Sequence, residues 1–517
     1  MATYSTPGVY VNESALTSIT PTVSGPTAGM FFGTAARGPI TPTLVNDWPS
    51  YRALFGELDS AYDLGYAVYH YFANGGRSAY VTRVVGSAST TATKIGVPFY
   101  PNGIGSASAS LFTVTATSPG TWGNTVTLVT SAGNVVASAT VKPTFSISVN
   151  INGAEVERWT ELSPDVNANR YFMEVLNRYS KIIDATTPHA FTTSSASASA
   201  GVVYAAPSST TTTTLAGGTS ATVANSDYTT SFNGADSING NLLFNAVGIT
   251  DAAVIAPLVL KASTRGDSFV IIDPKKTDAS YTDIQTTANS FASLSGAGYA
   301  AAYAPCLEMV DPAKSGSAAV RTTYPGGALA GMYVRMELQR TVSKAPAGYS
   351  AEIRGALGLT IRLTDTQVGT LYDSTPAINT FKAIAGAGVV ANGTRTLEKA
   401  TPDKFIPVRR NLNYIKYSLK NIAAPEVFEP NDANTWNRLS NNIGSFLSNH
   451  WRAGGLKGVR SSDAFFVVCD ATNNTPSTVD QGIITVSGGV ALSYPAEFIV
   501  INLSQWSGSS SATEVIV

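Results

Sequence analysis

The chain has few cysteines. Its 517 residues include two, which lie far apart: Cys306 in the apolar run "YAPCLEM" and Cys469 in "FFVVCDA". A disulfide framework or a cysteine-based metal site needs several cysteines at close spacing, so this pattern excludes both. Unpaired cysteine behaves as a small apolar residue, and we therefore predict two buried free thiols.

Charged side chains are also scarce. They make up 13% of the residues and leave a formal net charge of −1 at pH 7, whereas an average soluble domain carries about 25% charged residues. Such a chain has no strong field with which to attract nucleic acid or an anionic membrane. We expect no nucleic acid partner and no direct membrane binding. A surface rich in uncharged polar residues suits contact with other subunits.

Long apolar runs are missing as well. No stretch reaches the roughly 18–20 apolar residues of a membrane span, and the first fifteen residues lack the basic and apolar regions of a secretory signal. We expect the protein to be made and to stay in a cytoplasm. The same absence weighs against a surface-layer or adhesin protein, which the Ser/Thr/Gly-rich, charge-poor middle of the chain otherwise suggests.

No set of residues forms a recognisable catalytic or metal-binding motif. Ser220 in "GGTSA" and Asp273 in "IIDP" resemble parts of a subtilisin-type triad, but their order is reversed and the next histidine is His450. His70 and His189 have no metal-ligand spacing. The hydrolase alternative requires loss of an activity when Ser220 or Asp273 is changed. We predict a protein that is not an enzyme and has no cofactor or metal.

Apolar patterning along the chain indicates a mixed fold. Residues 28–35 and 78–86 have the pattern of buried strands, and residues 60–76 between them that of a helix, which is typical of α/β domains. Alternating stretches in a Ser/Thr-rich context between residues 87 and 245 predict an inserted β-rich domain. Buried-strand patterns return at 268–274 and 298–312, which predicts a parallel core sheet.

These patterns predict an α/β and α+β multidomain chain with six segments. They are an N-terminal segment with a short β-prone run (1–25), a core domain in two parts (26–86 and 246–402) separated by the inserted β-rich domain (87–245), an α+β C-terminal domain (403–508) and a C-terminal segment with a second β-prone run (509–517). We expect the insertion to lie on the outside of any assembly, because additions are tolerated where they do not interrupt a shared core.

A long amphipathic helix is predicted at residues 432–453. Its apolar residues repeat at helical spacing and predict a stripe that packs into a core; they are Trp436, Leu439, Ile443, Phe446, Leu447, His450 and Trp451. The remaining positions are mostly Asn and Ser. This leaves an uncharged polar face for a partner, and the alternative is a face that is merely solvated.

Taken in order, a series of motifs resembles the tail sheath proteins of contractile-tailed bacteriophages and related injection machines. The series includes "TPGVYV" (6–11), "AGMFFGTAARGP" (28–39), "YFANGGRSAYVTRV" (71–84), "YPGGALAGMYVRMELQRTVSKAPAG" (324–348) and "VFEPNDANTWNRLSNNIGSFLSNHWRAGGLKG" (427–458). The family usually has an acid after an "AR" step, where this chain has Met336 and Glu337. The Ser/Thr tract at 192–221 has no counterpart in the family.

The resemblance implies a subtilisin-like core domain without a catalytic triad. It also implies a structural subunit that polymerises as stacked, hexameric rings around a tail tube and contracts to drive the tube through a host cell envelope. The sheath of a phage-tail-like bacteriocin or a secretion machine is the alternative. The implied partners are further copies of the chain, the tail tube protein, and baseplate and tail terminator proteins. The implied location is the virion, with assembly in the host cytoplasm.

Two sets of interface residues follow from the resemblance. The terminal arms of such sheaths add strands to neighbouring subunits, which points to Val9, Tyr10 and Val11 at one end and to Val515, Ile516 and Val517 at the other. The C-terminal domain forms the inner wall of such sheaths, so the polar face of the 432–453 helix becomes the candidate tube-facing surface. Its residues are Arg438, Asn441, Ser445, Ser448 and Arg452, followed by Lys457.

Overall fold

The computed structural model describes residues 27–98, 101–102, 110–134, 144–163, 167–186, 203–204, 211–316, 319–400 and 402–497. These residues form both strands and helices. The strands are β1 (Ala28–Gly33), β2 (Thr43–Val45), β3 (Ala79–Arg83), β4 (Thr93–Pro98), β5 (Pro101–Asn102), β6 (Ser110–Ala116), β7 (Val126–Ala132), β8 (Phe145–Ile151), β9 (Ala154–Leu162), β10 (Ile183–Thr186), β11 (Val203–Tyr204), β12 (Thr211–Thr214), β13 (Leu242–Ala246), β14 (Ser268–Ile272), β15 (Ala300–Tyr303), β16 (Leu307–Val310), β17 (Val320–Thr323), β18 (Ala356–Leu359), β19 (Ile378–Ile384), β20 (Gly388–Asn392), β21 (Phe465–Val468) and β22 (Ser487–Val490). The helices are α1 (Trp48–Phe55), α2 (Asp63–Ala73), α3 (Phe172–Tyr179), α4 (Asn225–Ser231), α5 (Ala252–Arg265), α6 (Tyr281–Asn289), α7 (Gly326–Gln339), α8 (Asp365–Asp373), α9 (Ile406–Ala423), α10 (Ala433–Arg452), α11 (Ser461–Ala464) and α12 (Pro476–Asp480).

An eight-stranded sheet organises the larger of two compact units, residues 27–413 and 492–497. Its strand order is β2-β3-β1-β13-β14-β15-β19-β20, and the pairs from β3 to β19 are parallel. Only the two outer pairs are antiparallel. The inner strands are buried along their whole length, as expected of a parallel sheet with both faces covered. The predicted parallel core sheet and mixed α/β fold are confirmed.

The sheet separates two apolar cores. Along β1, Phe31 packs into the core that contains α2 and α7, and Met30 and Phe32 pack into the core that contains α5 and α6. Side chains of successive strand residues point to opposite faces, so a strand with apolar residues on both sides needs a layer of helices on each. The short run "AGMFFG" therefore requires a three-layer structure.

Helix α7 is buried along most of its length. It packs against α2 through glycines, since a Cβ atom added to Gly331 would lie 2.2 Å from the backbone oxygen of Tyr71. A Cβ atom added to Gly327 would lie 2.1 Å from the oxygen of Ala67. Glycine is thus required at both positions because the two helix backbones touch.

Among the described residues, each helix is too short or too polar to span a membrane.

The predicted boundary of the insertion at residue 245 is wrong. Strand β13, at the end of the predicted insertion, pairs with β1 and β14 in the central sheet, and Tyr228 of α4 packs into the sheet's core. The inserted β-rich part itself has a separate core, built on β6, β7, β8 and α3. The inserted part ends at about residue 221, where Ala221 and Thr222 lie against Gly86. The residues that follow pack with the central sheet. The Ser/Thr-rich composition continues past this point, which explains the error.

The division into compact units differs from the predicted C-terminal domain (403–508). The smaller compact unit is Tyr414–Ala491, so the division falls within α9 and not at residue 403. Residues 492–497 belong to the larger unit, where the ring of Tyr494 lies edge-on to Phe405. A continuous helix has no break in its sequence pattern at a unit boundary.

Candidate assembly surfaces

Helix α10 confirms the predicted amphipathic helix of the smaller unit. The side chain of Asp432 caps it by accepting hydrogen bonds from the N–H groups of Asn434 and Thr435. Five residues of the predicted stripe are buried, whereas the two tryptophans at its ends are half-buried; the five are Leu439, Ile443, Phe446, Leu447 and His450. Burial lowers the pKa of His450 to about 4, so this histidine is neutral at pH 7.

The opposite face of α10 carries the candidate tube-facing residues. Their spacing alternates between three and four positions, which places them in one row along a helix; the row consists of Arg438, Asn441, Ser445, Ser448 and Arg452. All five side chains are exposed or half-buried. Lys457 lies after the end of α10, where its backbone N–H donates to the oxygen of Ala491 and its side chain is exposed.

Within the row, Arg438 has charged partners among the described residues. Its guanidinium forms an ion pair with Glu426 and lies 3.5 Å from Glu429. The hydrogen bonds to Glu426 raise the pKa of Arg438. These pairs hold a loop that presents Val427 and a fully exposed Phe428, whose φ of 74° is unusual for a bulky residue. The sequence pattern missed this apolar loop, since its two carboxylates lie nine and twelve positions from Arg438.

A small sheet in the same unit presents open edges. Strands β21 and β22 pair antiparallel, from Phe465 opposite Val490 to Val468 opposite Ser487, and α10 packs against β21. Within the described residues no third strand joins this pair. Phe466 is largely exposed. Unpaired strand edges are templates for strands from other chains, so this sheet is a candidate acceptor.

The arm residues themselves cannot be placed against that sheet. Val9, Tyr10 and Val11 lie outside the described residues, and so do Val515, Ile516 and Val517. Their role as added strands stays a prediction.

The residues considered for hydrolase chemistry occupy separate places. Ser220 accepts a hydrogen bond from the N–H of Thr121 at 3.0 Å in the inserted part. Asp273 is buried at the start of α7, where it accepts from the N–H groups of Gly326 at 2.7 Å and Gly248 at 3.1 Å and from Asn245 at 3.0 Å. Burial raises the pKa of Asp273 to about 6 although these bonds act in the opposite direction.

The remaining candidate groups for chemistry are histidines and cysteines. Burial lowers the pKa of His70 to about 4, and His189 lies outside the described residues. Among the described residues, no group of three or more His, Cys, Asp or Glu side chains is arranged to hold a metal ion. Cys306 and Cys469 are buried free thiols, as predicted. Burial raises the pKa of Cys306 to about 12.

The smaller unit has known relatives. Residues 398–505 match the family model of the phage tail sheath C-terminal domain, which includes α10, β21 and β22. The chain is thus similar in part to phage tail sheath proteins. It is 30% identical over 174 residues to the tail sheath protein of Vibrio phage KVP40, a match that covers 33% of this chain and 25% of that protein. The tail sheath protein of Enterobacteria phage T4 is 28% identical over 176 residues, covering 34% of this chain and 26% of that protein. The matches thus span about a quarter of each relative's length.

Solved structures resemble the chain over nearly all of its length. The sheath complex of the PVC extracellular contractile injection system, in its contracted state, matches with a TM-score of 0.58 and 19% identity, covering 98% of this chain and 99% of that chain. The sheath tail protein of Listeria innocua matches with a TM-score of 0.57 and 15% identity, covering 88% of this chain and 90% of that chain. At these identities the likeness establishes the fold.

Proposed function

We propose that this chain is the structural subunit of a contractile sheath. Copies of it polymerise as stacked rings around a tail tube, and contraction of the sheath drives the tube through a host cell envelope. The observation that best supports the proposal is agreement of fold with a contractile sheath protein over 98% of this chain. In this proposal the subunit has no catalytic role, and free energy is stored in contacts between subunits that improve on contraction.

The core of the proposed subunit is the α/β unit with its parallel sheet. A parallel sheet covered by helices on both faces is compatible with the subtilisin-like topology that the resemblance implies. We further propose hexameric rings, a baseplate and a tail terminator as partners, and a place in the virion tail after assembly in the host cytoplasm. The phage-tail-like alternative has its own support, since the PVC match belongs to an extracellular injection system.

The link between subunits is proposed to be strand addition. The open edges of β21 and β22 are suited to receive the arm segments around Tyr10 and Ile516 of neighbouring subunits. A two-stranded sheet is only marginally stable by itself, and further strands with a covered face stabilise it. Helix α10 supplies cover on one side. Arms that remain paired keep subunits connected while rings rotate and approach one another.

The contact with the tube is proposed to lie on the polar face of α10. Neutral Asn441, Ser445 and Ser448 form hydrogen bonds without a strong charge, and Arg452 contributes an exposed cation. Arg438 contributes less, because Glu426 already neutralises it. A surface of this kind binds the tube weakly enough to release it on contraction.

Electron microscopy tests the proposed function directly. The purified full chain, concentrated and examined by negative stain, is expected to form hollow cylinders with axial striations, because the subunit carries both the arms and the acceptor sheet. At high concentration we expect assembled particles and not dispersed monomers. Monomers under all conditions, including in the presence of tube protein, contradict the proposal.

Cross-linking tests the tube-facing surface. An Asn441→Cys variant is expected to cross-link to the tube protein in extended sheaths and to lose that product after contraction, because contraction moves the inner wall away from the tube. Thr366→Cys on α8 is the matched control, since it is also an exposed helical position. The native thiols are buried and leave the background low. Equal cross-linking by both variants, or by Asn441→Cys in both states, refutes the assignment.

A further inference from the structure

The last described residues of the chain are fixed to the larger unit by a buried ion pair. Glu497 accepts from Arg395, with Nη2 at 2.9 Å from Oε2, and it also accepts from the hydroxyls of Tyr372 and Thr394. The side chains of Glu497 and Arg395 are only 11% and 9% exposed. Burial acts to raise the pKa of Glu497, but the bonds from Arg395 and Tyr372 outweigh it and hold that pKa below its ordinary value.

Arg395 is in turn attached to the central sheet. Its backbone N–H donates to the side chain of Asn379 in β19 at 2.9 Å, and the amide of Asn379 donates to the oxygen of Ala302 in β15 at 3.2 Å. Its guanidinium lies 4.0 Å from the ring centre of Tyr372 and forms a second ion pair with Asp373. The arginine that holds Glu497 is therefore connected to two strands of the central sheet.

A similar arrangement holds the first described residue. Thr27 donates to both carboxylate oxygens of Glu337, through Oγ1 at 2.6 Å and through its backbone N–H at 3.3 Å. Glu337 forms an ion pair with Arg410 at 2.8 Å, and the two side chains are 10% and 5% exposed. The guanidinium of Arg410 lies 4.9 Å from the ring centre of Tyr333 in α7. The carboxylate of Glu337 thus joins the beginning of the described chain to two helices.

A gain in folding stability does not by itself explain these two buried ion pairs. A buried ion pair is often no more stabilising than apolar residues of the same size, because both charges lose their hydration. Their contribution is instead geometric, because charge-assisted hydrogen bonds hold the bonded groups in defined positions. One pair fixes Thr27, which follows the predicted N-terminal arm, and the other fixes Glu497, which precedes the predicted C-terminal arm.

We propose that the Arg395–Glu497 and Arg410–Glu337 pairs anchor the segments that lead to the two predicted arms. They hold Glu497 and Thr27 on the central unit, so that tension on the residues beyond them passes into the sheet and does not peel the flanking segments away. Glu497, Arg395, Glu337 and Arg410 are thus positioning residues for the arms. The source of the tension rests on the proposed function, in which the arms connect neighbouring subunits.

Proteolysis of the isolated subunit tests the anchor without any sheath. In a Glu497→Ala variant, chymotryptic cleavage after Phe498, the residue that follows Glu497 in the sequence, is expected to be about tenfold or more faster, because a protease cleaves the detached segment in proportion to its population. Arg395 stays paired with Asp373 in this variant, so its charge is not left alone. Asp373→Asn is the matched control: it removes the other carboxylate from the same arginine and should leave the cleavage rate unchanged. Equal cleavage rates in the two variants overturn the anchor.

The stability of assembled sheaths tests whether tension passes through the anchors. Sheaths of Glu497→Ala should still form, because the arms are intact, but they should depolymerise at a lower urea concentration than wild-type or Asp373→Asn sheaths in a sedimentation assay. Thr27→Val, which keeps the shape and removes the hydroxyl donor to Glu337, should lower the same midpoint. Unchanged midpoints refute the transmission of tension. If the wild-type chain forms no sheath, the proposed function fails, whereas the proteolysis result still decides the anchor.

Discussion

Deletion of residues 1–16 or of residues 509–517 is expected to abolish sheath formation and to leave the thermal unfolding of the isolated subunit nearly unchanged. A strand donated to a neighbour adds nothing to the donor's own core, whereas the acceptor sheet in the neighbour keeps an unpaired edge. Sedimentation and negative-stain microscopy measure the first effect, and circular dichroism on heating measures the second.

Single substitutions refine this expectation. Val9→Pro or Ile516→Pro should reproduce the assembly defect, because proline cannot donate to a strand ladder. Val9→Ile and Ile516→Val are the matched controls, since they keep β-branched side chains and should assemble normally. Full-length sheaths from either deletion variant, or unfolding of the isolated subunit by a deletion, contradict the intersubunit role of the arms.

Gly331→Ala is expected to destabilise the larger unit by about 3 kcal/mol, at the upper end of overpacking effects in well-packed cores. The added Cβ would lie 2.2 Å from the backbone oxygen of Tyr71, and a backbone atom cannot rotate away as a side chain can. Helices α2 and α7 would have to separate, and the core beneath them contains Tyr71 and Tyr333. Urea unfolding of the isolated chain, followed by fluorescence, measures the change in the free energy of unfolding.

Gly369→Ala provides the control for this substitution. Gly369 lies within α8 in the same unit, and nothing lies within 4 Å of the position a Cβ would take. There the same change should stabilise the unit by about 0.5–1 kcal/mol, because alanine loses less backbone entropy in a helix than glycine. Effects of the same sign in both variants contradict the close helix contact.

Local pattern determined much of the fold. The strands at 28–35 and 78–86, the helix between them and the capped helix α10 follow from side-chain periodicity and end signals that lie within a few residues of each other. The order of motifs also indicated the sheath resemblance. The polar row on α10 could be predicted because helical spacing places residues on one face whatever the rest of the chain does.

Tertiary structure decided what depends on partners distant in the sequence. The run around Leu243 reads equally well as part of the insertion or of the core, and only pairing with β1 places it in the central sheet. Glu426 neutralises Arg438 through a loop, which no helical pattern shows. Thr27 meets Glu337 across 310 positions, and Arg395 meets Glu497 across 102. Periodicity describes neighbours along the chain, whereas ion pairs and sheet neighbours form only when the chain is folded.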